Sequence, residues 1–250
     1  TVITPISLDH MEILGETLKE ISFEKACAMK KNVLCVSTMQ KEEVTNILES
    51  VALKKGTPLH FINSIKTSNI PVNIPGKKQK ENTLLALFLI DKLDQFNISN
   101  SAKIKGLQEV HWHGRNQMLQ NNPPIVFDVA HNPDSFQCFL DYYQSLNIYG
   151  KSILIIALYS KKRIYDIIPL LELAFDHIIC TETEGRSPMS AETLCSHFNQ
   201  NHSVEIISNS SLAIQKGLDI LTPNGGMAIV GTHCLGPAVN KIFKISFDNL

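Results

Sequence analysis

The chain has 250 residues, of which 44% are hydrophobic and 19% are charged, a composition typical of a globular protein with one large domain or two smaller ones. Its formal net charge of −1, from 23 Lys+Arg and 24 Asp+Glu, gives no electrostatic reason to expect a nucleic-acid partner. No apolar run reaches the length of a membrane span, and the six cysteines are scattered without a C-x-x-C pair. We therefore predict a cytoplasmic protein with no membrane partner.

Short β-branched runs alternate with helical patterns along the chain. This alternation predicts the α/β class, with mostly parallel sheets covered by helices on both faces. The predicted strands, in chain order, are VITPI, NVLCVS, PLHFIN, PIVFDV, KSILIIAL, HIICTE, VEIIS and GMAIVGT. The predicted helices cover about residues 16–29, 41–54, 79–93, a stretch from 133, 163–173, 190–199 and 210–221, with a short closing helix; residues 64–76 are predicted to be a loop.

The stretch GLQEVHWHGRNQ interrupts the alternation and is typical of a hinge. We place a domain boundary within residues 108–114, which gives two α/β domains at 1–109 and 110–250. The chain lacks an initial Met and opens with TVITPI in the middle of a predicted strand. The first domain is therefore expected to begin part-way through.

The stretch VFDVAHNP joins a buried strand to a helix. Asn132 is a strong N-cap, and Pro133 suits the first helical position because its missing N–H would be unpaired anyway. Local structure does not explain Asp128 and His131, which follow the strand and face a helix N-terminus. In α/β proteins that edge of the sheet binds ligands, often anions. The sequence predicts an anion or phosphorylated ligand there.

A lysine stands among apolar residues in the first long predicted helix. Leu18, Ile21, Lys25 and Met29 recur at helical spacing, so Lys25 is expected on the inward face. An inward lysine needs a lowered pKa, a carboxylate partner or a modification such as carbamylation by carbon dioxide. From spacing alone, an ion pair with Glu20 or Glu24 is the favoured interpretation of Lys25, and a satisfied loop histidine is that of His10.

Several motifs together resemble a known family. The segment 6–30 resembles the "LDHxxxLGxTxxxIAxEKAGIxK" pattern of folylpolyglutamate and dihydrofolate synthases, and VFDVAHNP resembles their "DxAHNP". GKKQKENTLLAL is similar to "GxHQxxNxxxAL", and WHGRNQ is similar to "WPGRxQ". The resemblance runs in order over nearly the whole chain. The His-Asn-Pro element alone would also fit murein peptide ligases of the same superfamily.

The resemblance implies two Mur-ligase domains, an incomplete ATPase domain followed by a Rossmann-like C-terminal domain. The implied activity is ATP-dependent ligation of L-glutamate to dihydropteroate or a folate through an acyl phosphate. Magnesium is the implied cofactor. ATP, glutamate and the pterin are the implied small-molecule partners of a monomer.

The resemblance also assigns roles to individual residues. Magnesium would be bound by His10 and by a carbamylated Lys25, which is thereby catalytic. The adenine would contact Asn82 and Gln79, while Arg115 would reach the phosphates or ribose. Asp128 would bind the ribose edge, and His131 would face the phosphates or the incoming glutamate.

Some positions depart from the family pattern. Cys27-Ala28 replaces Gly-Ile beside Lys25, Lys78 and His113 replace a His and a Pro, and only Lys161 remains of a "DKD" element. No G-x-x-x-x-G-K-[ST] phosphate loop occurs in the 250 residues. These residues alone are therefore expected to be inactive. A murein peptide ligase and a non-catalytic nucleotide- or folate-binding protein are the alternatives.

Overall fold

The chain forms two compact units, each with its own parallel sheet. The structure is a computed structural model and describes residues 1–63, 72–93, 95–160, 164–185 and 187–245. The first unit comprises residues 1–73 and 77–110, and the second comprises 74–76 and 111–250. The predicted Lys161 and most of the predicted loop at 64–76 lie outside the described residues.

The first unit contains a three-stranded parallel sheet in the order β1-β2-β3. Its buried core joins Ile3 and Cys35 of the sheet to residues of two helices, such as Ile21 and Leu48. The strands are β1 (Val2–Ile3), β2 (Cys35–Thr38) and β3 (Leu59–Ile62). The helices are α1 (Met11–Leu14), α2 (Leu18–Ala26), α3 (Glu42–Lys55), α4 (Lys77–Asp91) and α5 (Asn100–Glu109).

Local signals in the sequence fix the ends of α2 and α3. Thr17 and Glu20 form a capping box, in which each side chain accepts from the other residue's backbone N–H. Gly56, in the left-handed conformation with φ 64°, ends α3. The capping role of Glu20 also decides where its carboxylate lies, which is at the start of α2.

The second unit contains a larger sheet in the order β4-β5-β9-β6-β7-β8, parallel except for the edge strand β4. Its strands are β4 (Gln117–Asn121), β5 (Pro124–Asp128), β6 (Ser152–Ile156), β7 (His177–Glu182), β8 (Val204–Asn209) and β9 (Gly226–Val230). Its helices are α6 (Pro133–Gln144), α7 (Ile168–Ala174), α8 (Ala191–Cys195), α9 (Ser210–Ile220) and α10 (Gly236–Phe243), with a 3₁₀ turn at His233–Leu235.

Both faces of this sheet are covered by helices. Alternate residues of β6 belong to different cores: Leu154 packs with Phe136 and Leu171 on one face, and Ile155 packs with Ile214 on the other. Strands buried on both faces require continuous apolar sequence, which explains runs such as SILIIAL. The central strands therefore form a rigid frame for the residues that follow them.

The predicted α/β class with mostly parallel sheets is confirmed. Three elements were not predicted: the short helix α1, the antiparallel strand β4 and the helix α5. The helix predicted at 190–199 is shorter, Ala191–Cys195, and α2 ends at Ala26, before the predicted Met29. Among the described residues, no helix is both long enough and apolar enough to span a bilayer.

Candidate functional site

The carboxyl ends of β5, β9 and β6 meet at one edge of the large sheet. Asp128 pairs with Val230, and Val230 pairs with Ile156, so the segments leaving these strands begin side by side. The Gly231 N–H donates to the Asp128 carbonyl at 3.2 Å, and the Ala157 N–H donates to the Val230 carbonyl at 3.2 Å. In open parallel sheets this edge is where ligands bind.

Asp128 ends β5 and is only 7% exposed. Its Oδ2 accepts from the Asn116 N–H at 2.7 Å, and its Oδ1 accepts from the Ala130 N–H at 2.8 Å. Burial raises the pKa of this carboxyl to about 6, against the opposing effect of these hydrogen bonds and of the nearby Arg115 and His131 charges. Through these two hydrogen bonds the carboxylate connects the turn before β4 to the turn after β5. Its predicted contact with a ribose stays a prediction.

The hydrogen bond from the Asn116 N–H to Asp128 positions the neighbouring residue, Arg115. The Val129 N–H donates to the Gly114 carbonyl at 3.0 Å, which holds the same turn from its other side. Gly114 has φ 70°, and a Cβ there would lie 2.6 Å from Val129 Cγ1, so the turn requires glycine. The structure therefore brings Arg115 to the predicted Asp128 and His131.

His131 has a defined ring orientation at the start of α6. Its Nδ1 lies 2.8 Å from the Val129 carbonyl oxygen, so Nδ1 carries a proton and donates to it. The neutral ring then has its lone pair on Nε2. This nitrogen can accept a proton from a substrate, or donate once the ring is charged.

The N-terminus of α6 is satisfied internally. Ser135 Oγ accepts from the backbone N–H groups of His131 and Asn132, each at 3.0 Å, and Asn132 Oδ1 accepts from the Ser135 N–H at 2.9 Å. Pro133 has no N–H. The first backbone donors of this helix are therefore largely used by its own cap. Recognition of an anion here depends on side chains.

His233 joins this group, although its segment IVGTHCLGPAV fits the family pattern only loosely and His233 was assigned no role. It lies in the 3₁₀ turn directly after β9. Partial desolvation and the nearby charges of Arg115 and His131 lower the pKa of His233. A second sequence signal was its place just beyond the predicted strand GMAIVGT.

In the first unit, His10 is exposed and has a left-handed backbone, φ 54°. Its Nε2 lies 3.8 Å from Asp9 Oδ2. Lys25 is half-buried, at the margin of the inward face formed by Ile21, Ser22 and Ala26. The Glu20 carboxylate serves the cap of α2 through its Oε2, and the expected ion pair of Lys25 with Glu20 or Glu24 stays a prediction.

Gln79 and Asn82 lie one turn apart on α4, both half-buried. The Asn82 side-chain amide donates to Gln79 Oε1 at 3.4 Å, and the Gln79 carbonyl accepts from Thr83 Oγ1 at 2.8 Å. The structure therefore places the two amides together, as a contact with one adenine would require. That contact stays a prediction.

The predicted metal ligands form an incomplete set. His10 offers one imidazole, and the Lys25 amine becomes a ligand only as a carbamate. Within the part of the chain that the structure describes, no group of three His, Cys, Asp or Glu side chains could hold a metal ion. These residues do not, by themselves, fit a magnesium ion.

Residues 114–233 match the family described as Mur ligase, glutamate ligase domain. The dihydrofolate synthase/folylpolyglutamate synthase of Buchnera aphidicola subsp. Baizongia pistaciae is 26% identical over 100% of this chain and 61% of its own length. The Bacillus subtilis protein of that name is 29% identical over 55% of this chain and 38% of its own length. The chain thus spans at most about three fifths of these relatives.

Solved structures with the same fold include E. coli FolC in complex with DHPP and ADP. It has a TM-score of 0.85 and 22% identity over 96% of this chain and 60% of its own. The Mycobacterium tuberculosis folylpolyglutamate synthase complexed with ADP has a TM-score of 0.88 and 20% identity over 98% of this chain and 63% of its own.

The sheet order, the cluster at its carboxyl edge and the family match define residues 114–233 as a glutamate ligase domain of the Mur ligase type. The Buchnera relative covers the whole chain, and therefore both units. Over its whole length the chain is similar to the Buchnera dihydrofolate synthase/folylpolyglutamate synthase, and its residues 114–233 match the Mur ligase, glutamate ligase domain.

Proposed function

We propose that the protein containing this chain is an ATP-dependent ligase that adds L-glutamate to dihydropteroate, to a folate, or to both. The observation that carries the proposal is the placement of Arg115, Asp128 and His131 at one sheet edge within the glutamate ligase domain. The motif of residues 6–30 favours a folate substrate over a murein peptide.

The proposed reaction has two steps. The acceptor carboxylate attacks the terminal phosphorus of ATP, forming a C–O–P link and releasing ADP. The glutamate amine then attacks the carbonyl carbon, a C–N bond forms, the C–O bond breaks and phosphate leaves with its electrons. Activation is needed because a carboxylate is a poor electrophile.

In these steps Arg115 binds and orients the phosphoryl oxygens, since a guanidinium offers donors in a fixed plane. His131 is oriented by its Nδ1–H bond to the Val129 carbonyl, and Nε2 is the nitrogen that we propose takes the proton that the attacking amine must lose. Asp128 positions both residues through the two backbone N–H groups that it binds. It adds a negative edge suited to a ribose hydroxyl.

For the nucleotide we propose that the paired amides of Gln79 and Asn82 contact the adenine edge. Magnesium is the ion that we propose to accompany ATP, because phosphate oxygens are its usual ligands. His10 and a carbamylated Lys25 would supply protein ligands, and the set must be completed by groups outside the described residues. When bound, the ion would neutralise charge on the phosphates.

We propose that these 250 residues alone do not ligate, because they contain no phosphate-loop motif and only part of a metal site. The proposed partners are ATP, glutamate and a pterin acid. A monomer in a reducing, cytoplasmic compartment is proposed; the six free cysteines support that compartment.

The test is incorporation of labelled L-glutamate by the native protein, isolated from the cells that produce it, with ATP and either dihydropteroate or tetrahydrofolate. We expect ATP-dependent product with at least one acceptor, and none from the 250-residue chain. Transfer of an amino acid to a UDP-sugar peptide instead would replace the proposal by a murein ligase. Nucleotide or folate binding without any product would replace it by a non-catalytic binding protein.

A further inference from the structure

The register of the large sheet places two histidines at equivalent positions just beyond the ends of neighbouring strands. Asp128 and Val230 are direct partners in the parallel pair β5–β9. His131 follows Asp128 by three residues, and His233 follows Val230 by three residues. Because parallel strands end at the same edge, both residues lie at the carboxyl edge of the sheet. Arg115 arrives there through the turn that Asp128 holds.

The segment carrying His233 is fixed by its neighbours. Gly231 has φ 126°, and its N–H donates to the Asp128 carbonyl at 3.2 Å. Thr232 Oγ1 accepts from the Cys234 N–H at 3.2 Å, capping the turn. Cys234 Sγ lies 3.0 Å from Tyr159 Oη, which follows β6. Contacts from two neighbouring strands therefore hold the turn in place, while His233 itself is exposed.

We infer that His233 is a third anion-binding residue beside Arg115 and His131, and that the three together bind a phosphoryl dianion. Three donors at one sheet edge match a group with two negative charges and three terminal oxygens. A carboxylate has one charge and two oxygens, which Arg115 alone could satisfy. The opposing carboxylate of Asp128 is buried and already accepts two backbone hydrogen bonds.

Two further observations support the inference. The backbone N–H groups of His131, Asn132 and Ser135 are bound within the cap of α6, so we assign the hydrogen bonds to an anion to the side chains. The pKa of His233 is lowered by desolvation and by the charges of Arg115 and His131, which means that the three groups act on one another. Identifying the dianion as the acyl phosphate or its product rests on the proposed function. The anion site itself does not.

The experiment is a titration of the 250-residue chain with inorganic phosphate, at constant ionic strength and pH, followed by NMR of ring-labelled histidines. We expect the His131 and His233 signals to shift along one saturating curve. His233→Gln should weaken phosphate binding roughly tenfold, the effect of one charge-assisted hydrogen bond. His197→Gln is the matched control, because His197 follows α8 in the chain and its ring packs edge-on against Tyr165; it should bind phosphate as the parent does.

Unchanged phosphate binding by His233→Gln would overturn the inference, as would the lack of saturation in the parent chain. A parallel titration with L-glutamate distinguishes a phosphoryl site from a carboxylate site. Equal shifts of the His233 ring signal with glutamate and with phosphate would indicate a carboxylate site. If the amide spectrum shows that His233→Gln does not fold, phosphate binding by His233→Asn is measured instead. The shift of the His233 ring signal in the parent chain then tests the same inference without any substitution. The phosphate titration contains no ATP or pterin, so its result is independent of the ligation assay. A negative ligation assay would not contradict the anion site, and a negative titration would not contradict the proposed ligase activity.

Discussion

Asp128 keeps a carboxyl group where little water reaches it. Two backbone hydrogen bonds and the charges of Arg115 and His131 stabilise its anion, but burial outweighs them and raises its pKa to about 6. An unfolded chain would release the same proton near pH 4. Between these values the unfolded state binds fewer protons than the folded state, so stability falls as pH rises from about 4 through about 6.

Asp128→Asn removes this titration. We expect the free energy of unfolding of the variant to rise relative to that of the parent by about 2 kcal/mol between pH 4 and pH 7, because only the parent loses stability over this range. The substitution also removes an acceptor oxygen, which lowers the free energy of unfolding of the variant by the same amount at every pH. Urea unfolding over this pH range measures the difference.

The matched control for this change is Asp141→Asn, since Asp141 is exposed on α6 and its carboxylate accepts only from Gln137. Its stability should follow the pH profile of the parent. Parallel profiles for Asp128→Asn and the parent would contradict the assigned shift.

Gly231 is required by a close approach of two backbones. Its φ is 126°, and a Cβ at this position would run into the carbonyl oxygen of Ala157. We expect Gly231→Ala to lower the free energy of unfolding by about 2–4 kcal/mol, through strain and displacement of the strand end. Gly106→Ala is the control: a Cβ there meets nothing within 4 Å, and the change should stabilise α5 by up to about 1 kcal/mol. Equal effects of the two substitutions would refute this account.

At the scale of elements, α6 depends on one hydroxyl for its start. Ser135 Oγ accepts from two backbone N–H groups, those of His131 and Asn132. Ser135→Ala should cost about 1–2 kcal/mol of stability, because both donors lose this acceptor. Ser145→Ala, at the other end of the helix, removes only a bond to the Tyr142 carbonyl and should change stability by less than about 0.5 kcal/mol. Thermal unfolding of the pair measures both, and a neutral Ser135→Ala would argue against the cap.

The elements that the sequence predicted are those with an apolar face to bury. Continuous strands such as β6 and capped helices such as α6 carry that signal in their own residues. By contrast, α5 has no buried residue, and β4 is a polar edge strand whose ends are Gln117 and Asn121. The sequences of these two elements look like that of a hinge segment, so neither the helix nor the strand was predicted. Lys25 lies only half-buried because its place on α2 is at the margin of the apolar face.

At the scale of the molecule, the two units have separate cores. Leu48 is fully buried in the first and Ile155 in the second. Truncating either to Ala should cost about 2–5 kcal/mol within its own unit. We expect Leu48→Ala to accelerate amide exchange in β2 and α3 but not in β6 and β9, and Ile155→Ala to do the reverse. Each variant is the control for the other; loss of protection throughout the chain in both would mean one cooperative core.

The site shows what sequence could predict. Asp128 and His131 are close in the chain and follow a recognisable strand, so their neighbourhood was predictable from VFDVAHNP. His233 lies far away in the chain, and only the β5–β9 register brings it near them. The hydrogen bonds of Asp128 also depend on the turn at Gly114, which no local pattern specifies. Contacts set by strand order were therefore beyond sequence reasoning.

That strand order has a consequence for how the protein is made. Of the strands described in the large sheet, β9 is the last to leave the ribosome, yet it lies between β5 and β6. Until it arrives, β5 and β6 each present an edge of unpaired backbone groups that a neighbouring nascent chain can pair with. The aggregation-prone interval lasts until translation has delivered the central strand. A chaperone that shelters these two edges during synthesis would raise the yield of folded protein.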